Sequence, residues 1–359
     1  MKMPDALKAP AARLLAALLA FAAAVAAYLA MRADPPASPP VPVQGVEEHY
    51  GWVPDPVAVG AVRQSLAGSG EFAATEAFRA RYTGPDDVFL WEACRQVTGA
   101  VLPARDQGRV GACVGFGTAA AVEHLMCVEV AANKSSGGRT EYRDLAQEVI
   151  YAGSRVEIGG GKVSGDGSVG AWAAEFVRAY GVVPRGVYAG QDLTRYSEAR
   201  CRDFGRTGVP AELEAVARQH PVKGIANVRR WPEAQAAIRH GYPVAVCSRQ
   251  GFRMARDADG FCAPDGVWYH CMALVGVRGG ARPGGFLLNS WGPAAHTGPR
   301  GPGDPPAAGF WADAAVLDRM LADGDSWAFS GFAGFPARRL DWYAAVRPAG
   351  VVTTAPAGP

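Results

Sequence analysis

Gly285-Phe286-Leu287-Leu288-Asn289-Ser290-Trp291-Gly292 is an apolar run that ends in an amide. Bounded by glycines and too short for a helix, it reads as a buried strand that delivers Asn289 to its edge. A neutral amide there can accept from an imidazole N–H and fix the ring's tautomer. Trp291 can shield that bond from water. An imidazole stands in the preceding apolar run, since residues 267–277 read as a strand centred on His270, within Trp268-Tyr269-His270-Cys271-Met272-Ala273-Leu274-Val275-Gly276. Taken singly, each is an ordinary core histidine or turn asparagine. Together they orient a base that needs a partner.

A candidate partner lies far upstream, at Cys113 in Pro103-Ala104-Arg105-Asp106-Gln107-Gly108-Arg109-Val110-Gly111-Ala112-Cys113. The segment that follows is largely apolar and predicts a helix over 112–132. This puts the thiol at a helix N-terminus, where unpaired N–H groups and the macrodipole favour the thiolate. Gly108 and Gly111 let backbone approach a substrate closely. The Gln107 side-chain amide is suited to hold a developing oxyanion together with a backbone N–H. The other histidines are poorer bases for this thiol. His124 lies three turns up the same helix, about 16 Å away. His49, His220 and His240 border a linker and turns, and His296, in a Gly/Pro loop, is the remaining rival.

Bulk properties agree with a folded, exported chain. Its 359 residues are 49% hydrophobic and carry a net charge of +2, with no Lys/Arg run to suggest a nucleic-acid partner. Lys2, Lys8 and Arg13 precede an uncharged Ala/Leu-rich stretch over 14–31, the length of a short membrane span. That order predicts an uncleaved signal anchor with the remainder outside the cytoplasm, a cleaved signal peptide being the rival. Either way the chain is membrane-anchored facing the periplasm or extracellular side, or secreted. Of the seven cysteines, six besides Cys113 are available for disulfides in that compartment. No Cys-x-x-Cys or His-x-x-x-His spacing points to zinc, and no cofactor is expected.

Four parts follow along the chain: a signal anchor or signal peptide over 1–33, a Pro-rich stalk with short helices or a pro-region over 34–87, a catalytic domain over 88–337, and a disordered tail over 338–359. Within the domain, helices are expected over 142–151 and 169–180, the latter closed by Gly181, with a glycine-rich loop over 159–167 between them. A helix over 232–240 follows, then strands at 243–247, 267–277, 285–290 and 309–312. A helix-rich first half and a strand-rich second half predict an α+β protein.

Gly99-Ala-Val-Leu-Pro103-Ala-Arg105-Asp-Gln107-Gly108 with Gly111-Ala112-Cys113 resembles the catalytic-cysteine segment of papain-like cysteine peptidases. Ala273-Leu-Val-Gly276 after His270 is similar to that family's histidine strand. Asn289-Ser-Trp-Gly292 is similar to its asparagine motif, the most specific match, and Gly309-Phe-Trp311 resembles the strand that follows. The likeness spans residues 91–334. His270 and Asn289 lie somewhat further from the cysteine than the family's roughly 130–150 residues, which implies a modest insertion. The region from the glycine loop to Gly181-Val-Val-Pro looks more like the bacterial and viral branch. Val110 replaces the usual structural cysteine, so that cysteine's disulfide cannot form, and Val114 replaces an aromatic beside the thiol.

The resemblance implies a papain-like two-lobe fold. The N-terminal lobe would be helical, the C-terminal lobe an antiparallel β-barrel-like structure, and the active-site cleft would run between them. It implies a cysteine endopeptidase acting on polypeptides through a Cys113 thioester, with a monomeric catalytic domain. His270 would be the acid/base, Asn289 its orienter, Gln107 part of the oxyanion hole, Trp291 a support and Gly167 a substrate contact. The same parts could serve a transglutaminase-like acyltransferase, in which an amine replaces water. A papain-fold binding module without turnover is the non-enzymatic alternative, supported by Val110 and Val114 alone.

Overall fold

The computed structural model describes residues 50–66, 86–132, 141–331 and 340. The apolar N-terminal stretch, most of the Pro-rich run that follows it and nearly all of the C-terminal tail lie outside the described residues.

Helix α1 (Pro56–Ser65) opens with proline at its first turn, and the Asp55 carboxylate accepts from the Ala58 N–H at 2.9 Å. Both are favourable at a helix start. After strand β1 (Val88–Phe89) and helix α2 (Trp91–Thr98) comes α3 (Cys113–Ala132). It is apolar almost all round and buried through most of its length, packed against α2, further helices and the sheet. A helix with that composition has to be a core helix. By length and hydropathy α3 could cross a membrane, but here it is enclosed by the fold. The expected helix at 142–151 begins later, as α4 (Gln147–Gly153), and runs into a single π-turn (Ser154–Ile158). Helix α5 (Gly170–Ala179) matches its periodicity, and Gly181 beyond its cap has the positive φ of +97° that glycine adopts freely.

A hairpin of β2 (Val187–Tyr188) and β3 (Gln191–Asp192), then α6 (Glu198–Thr207) and α7 (Ala211–Ala217), lead into the strand-rich half. There β4 (Gly224–Asn227), α8 (Trp231–Arg239), β5 (Val244–Arg256), β6 (Cys262–Arg278), β7 (Gly284–Leu288), β8 (Gly309–Asp313), α9 (Ala314–Ala322) and β9 (Asp325–Ser330) follow in order. The sheet runs β4-β9-β5-β6-β7-β8, all antiparallel, with β1 added on β6. The mixed α+β class is as expected, but the sheet does not close into a barrel. Among the described residues β4 and β8 end the strand order, β8 meeting an isolated bridge from Trp311 to Phe261 on its far side, and α3, α8 and α9 pack on the strands. Strands β5 and β6 outrun their sequence patterns because they continue as a bulged hairpin beyond the buried rungs.

The core beside β1 is aromatic. Trp91 stacks on Phe89 at 4.8 Å and meets Phe286 at 4.9 Å, while Trp311 packs across both. Gly276 and Gly309 leave room for the Trp91 and Phe286 rings, which a Cβ at either position would strike.

Cys247 and Cys271 face each other across β5 and β6 and form a disulfide, one rung from the Ser248–His270 pair. The remaining five cysteines are free and buried. The bridge closes a loop with a sequence separation of 24. Replacing both cysteines by alanine should therefore lower unfolding stability by about 3 kcal/mol through the freed unfolded chain. Urea titration of the two proteins measures the difference.

Candidate active site

Two contacts bring the distant motifs together. The first is the packing of α3 on β6. A Cβ at Gly117 would lie 3.0 Å from the Cys271 carbonyl oxygen, so only a small residue lets the helix sit directly on the strand. One turn earlier, the Cys113 sulfur lies beside the peptide that joins His270 to Cys271. The second contact is a short antiparallel pairing. Gln107 N donates to Ser290 O at 2.8 Å and Gly292 N donates to Arg105 O at 2.9 Å, with Asp106 and Trp291 bridged between them. The segment before the helix is thus laid against the Asn289-Ser-Trp-Gly292 motif. An ion network fastens its other side, since Arg105 pairs with Asp144 at 2.7 Å and with buried Glu123 at 3.2 Å.

His270 Nε2 and Asn289 Oδ1 are 2.8 Å apart. The amide oxygen can only accept, so Nε2 carries the proton and Nδ1 is the ring's basic nitrogen. Trp291 covers the imidazole at a centroid distance of 4.6 Å, and Trp268 packs on Trp291 at 4.8 Å. The Gln107 side chain is fully buried. Its Nε2 donates to Val110 O at 2.8 Å, and its Oε1 accepts from Ser290 Oγ at 2.6 Å. The structure therefore gathers Gln107, His270, Asn289 and Trp291 around one another, with Cys113 at the adjoining helix start.

The thiolate expected from the helix N-terminus does not prevail in this arrangement. Burial pushes the Cys113 thiol up to about 12, and backbone amides of Cys271, Gly51 and Val114 lower it by less. Desolvation penalises the charged form more than the nearby N–H groups favour it. Part of that burial comes from the segment ahead of α1. Gly51 and Trp52 both donate backbone N–H bonds to Tyr269 O, at 3.0 and 2.9 Å. Gly51 O accepts from Ser168 N, and Val53 N donates to Ser168 O, which pairs the segment with the end of the glycine loop in parallel. Tyr50 packs its ring on Trp268, His270 and Trp291, and Trp52 Nε1 donates to Asp325 Oδ2 at 2.8 Å. Gly51 passes so close to Gly111 that a Cβ would collide with the Gly111 carbonyl.

Gly167 borders this segment, with φ +116° and its absent Cβ facing Gly51 O and Val53 at 3.1 Å. Its loop is held by buried Arg155. Arg155 Nε donates to Gly205 O, Nη2 donates to Val163 O and Gly165 O, and Nη1 donates to Gly167 O. Gly167 N donates to the Tyr151 hydroxyl at 3.0 Å. Sequence reasoning missed Arg155 and the Tyr50–Val53 contact. The aromatic-Gly-aromatic run Tyr50-Gly51-Trp52 was the only available signal for the latter. His296, read only as a rival base, instead lies 3.1 Å from Asn289 Nδ2. Among the described residues no group of His, Cys, Asp and Glu is arranged to hold a metal ion.

The sequence matches no protein-family model and no curated protein sequence. Solved structures do resemble it. Xylellain, a cysteine protease from Xylella fastidiosa, superposes with a TM-score of 0.53 at 15% identity, over 79% of this chain and 96% of that one. Bromelain from Ananas comosus reaches a TM-score of 0.45 at 17% identity, over 69% and 99% of the two chains. Procathepsin L 3 of Tenebrio molitor reaches 0.43 at 16% identity, over 75% and 79%. At such identity the likeness to xylellain is one of fold, and the fold is that of the papain-like cysteine proteases to which the Cys, His and Asn motifs had pointed.

Proposed function

We propose that the chain is a cysteine endopeptidase of the bacterial and viral branch of the papain-like family. Residues 88–337 would form its two-lobed catalytic domain, anchored or exported through residues 1–33. The observation that carries this reading is the His270–Asn289 hydrogen bond beside the helix start that bears Cys113. The buried Cys247–Cys271 disulfide supports an oxidising compartment.

In this reading His270 takes the thiol proton through Nδ1, and the resulting imidazolium and Cys113 thiolate form an ion pair. The thiolate attacks a peptide carbonyl carbon. The Gln107 amide and the Cys113 N–H donate to the oxyanion, where each such donor contributes about 10²–10³ in rate. The imidazolium protonates the leaving amine. Water, deprotonated by His270, then cleaves the thioester and restores the thiol. Asn289 keeps the proton on Nε2 throughout, and Trp291 keeps water from that bond.

We further propose that residues 50–66 hold the enzyme latent. The segment occupies backbone groups at Ser168 and Tyr269, beside the glycine loop and His270, and a backbone amide of Gly51 reaches the thiol. With the thiol at about 12, the thiolate fraction at pH 8 is on the order of 10⁻⁴, against about a quarter for an ordinary exposed cysteine. A Cβ at position 51 cannot pass the Gly111 carbonyl, so Gly51→Ala should expel the segment. The variant should alkylate at Cys113 at pH 8 at least tenfold faster than the native chain, as read by iodoacetamide labelling and mass spectrometry. Equal rates would show that the segment guards nothing.

Turnover itself is tested at the nucleophile. Cys113→Ala should abolish both peptide cleavage and labelling by a thiol-directed epoxide. Epoxide labelling that survives on another cysteine, or cleavage that persists, overturns the assignment.

A further inference from the structure

The Asn289 side chain has two donor–acceptor orientations of nearly identical shape, and only one of them suits a base at His270. With Oδ1 toward the ring, Nε2 must be protonated and Nδ1 is basic. With the amide turned over, its NH₂ faces Nε2, which must then accept, and the proton moves to Nδ1. That second tautomer cannot take a proton from the thiol through Nδ1. Something in the structure has to select the orientation.

Two contacts do so. The Ser290 backbone N–H, which can only donate, meets Asn289 Oδ1 at 2.8 Å. On the opposite side, His296 Nε2 lies 3.1 Å from Asn289 Nδ2, which can only donate. We propose that His296 is a positioning residue for the site: its Nε2 lone pair accepts from Asn289 Nδ2 and so holds the amide oxygen on His270. This rests on the peptidase reading above for its consequence in turnover, but not for its geometry.

The surroundings of His296 suit an acceptor. The ring is 3% exposed and packs on Phe310 at 4.5 Å, which fixes its rotamer. Its Nδ1 faces the Cys262 sulfur at 3.7 Å, an acceptor for the proton that a neutral ring must carry there. Burial and the neighbouring Arg256 cation both oppose an imidazolium and lower the ring's pKa to about 4. The ring is therefore neutral near pH 7. Arg256 also secures the loop that carries it, with Nη2 donating to His296 O at 2.7 Å and Nη1 donating to Ala307 O and Gly309 O. Backbone bonds from Arg256 N to Thr297 O and from Thr297 N to Met254 O fasten the same loop to β5. A histidine in a Gly/Pro loop is thus fastened to the sheet through side-chain and backbone bonds.

The test combines a tautomer measurement with a double-mutant cycle. Long-range ¹H–¹⁵N spectra of the full chain at pH 7 should give the Nδ1–H tautomer for His296 and the Nε2–H tautomer for His270. An Nε2–H tautomer at His296 overturns the proposal without any variant. His296→Phe keeps a ring against Phe310 but offers no acceptor. It should populate the Nδ1–H tautomer at His270 and lower kcat about tenfold or more with KM nearly unchanged, since the wrong tautomer in a related base–orienter pair is far costlier still. His296→Gln, whose side-chain oxygen can accept, should recover most of that loss. In an Asn289→Ala background His296→Phe should cost nothing further. An unchanged His270 tautomer in His296→Phe, or an equal loss of kcat in both backgrounds, overturns the positioning role. If the native chain and its Gly51→Ala form fail to cleave peptides, the functional reading falls, and the tautomer spectra still decide the role of His296.

Discussion

Direct seating of α3 on β6 is the constraint on which the site depends. A helix normally stands off a strand by the thickness of its side chains, but Gly117 removes that layer over the Cys271 carbonyl. Gly115 does the same on the side of α4, where a Cβ would lie 3.1 Å from Gln147 O. With both faces thinned, the first residue of the helix comes level with the His270–Cys271 peptide. The reaction that the motifs imply needs a nucleophile and a base within hydrogen-bond reach. Here the seating of Cys113 beside the Cys271 N–H follows from absent side chains in the core. Larger residues at 115 or 117 would be costly twice, through overpacking and through withdrawal of Cys113 from the strand.

Once the helix is seated, polar contacts set the details. The pairing of residues 105–107 with residues 290–292 couples the oxyanion-side glutamine to the asparagine motif through the backbone, so neither can shift alone. Arg105, Glu123 and Asp144 brace that pairing from behind. Burial opposes the Asp144 charge, but hydrogen bonds from Arg105 and Tyr142 outweigh it and hold the carboxyl below its ordinary range. Burial also opposes the Glu123 charge, and the Arg105 cation only partly offsets it. Such a network adds little net stability, but breaking it would strand a buried charge. Its contribution here is register, because it specifies where Gln107 lies relative to the start of α3.

Parts of this were legible in the sequence and others were not, for physical reasons. The α3 helix, the His270 strand and the Asn289 turn were legible because each is a local pattern, namely apolar periodicity, an apolar run or a run ended by a polar group. The open sheet was not, since strand order is set by pairings between residues far apart in the chain. Helices α6, α7 and α9 were missed because each is short, ten residues or fewer, and half of the residues of α6 are charged. Arg155 left no trace, since its partners are backbone carbonyls, which every residue has. His296 was visible only as a rival base, because the Arg256 bonds that fasten its loop come from another strand.

The covering role proposed for residues 50–53 rests on how the surroundings of the thiol set its charge. Backbone amides of Cys271, Val114 and Gly51 all lie near the sulfur and all favour its charge. With the Cys113 N–H itself, these donors still lose to desolvation, because a buried sulfur forgoes the many solvent dipoles that a thiolate gathers at a surface. Lifting the segment would remove one amide donor and admit water in its place, and the balance then turns toward the thiolate. In the proposed latency, what separates the covered from the uncovered state is solvent at the sulfur. The orienting hydrogen bond, the covering indole and the fixed amide are already in place beneath the segment. Among the described residues the segment 50–53 meets the site from outside the helix and strand that carry it, so the proposed control would act through removal of that segment and leave the helix and strand as they are.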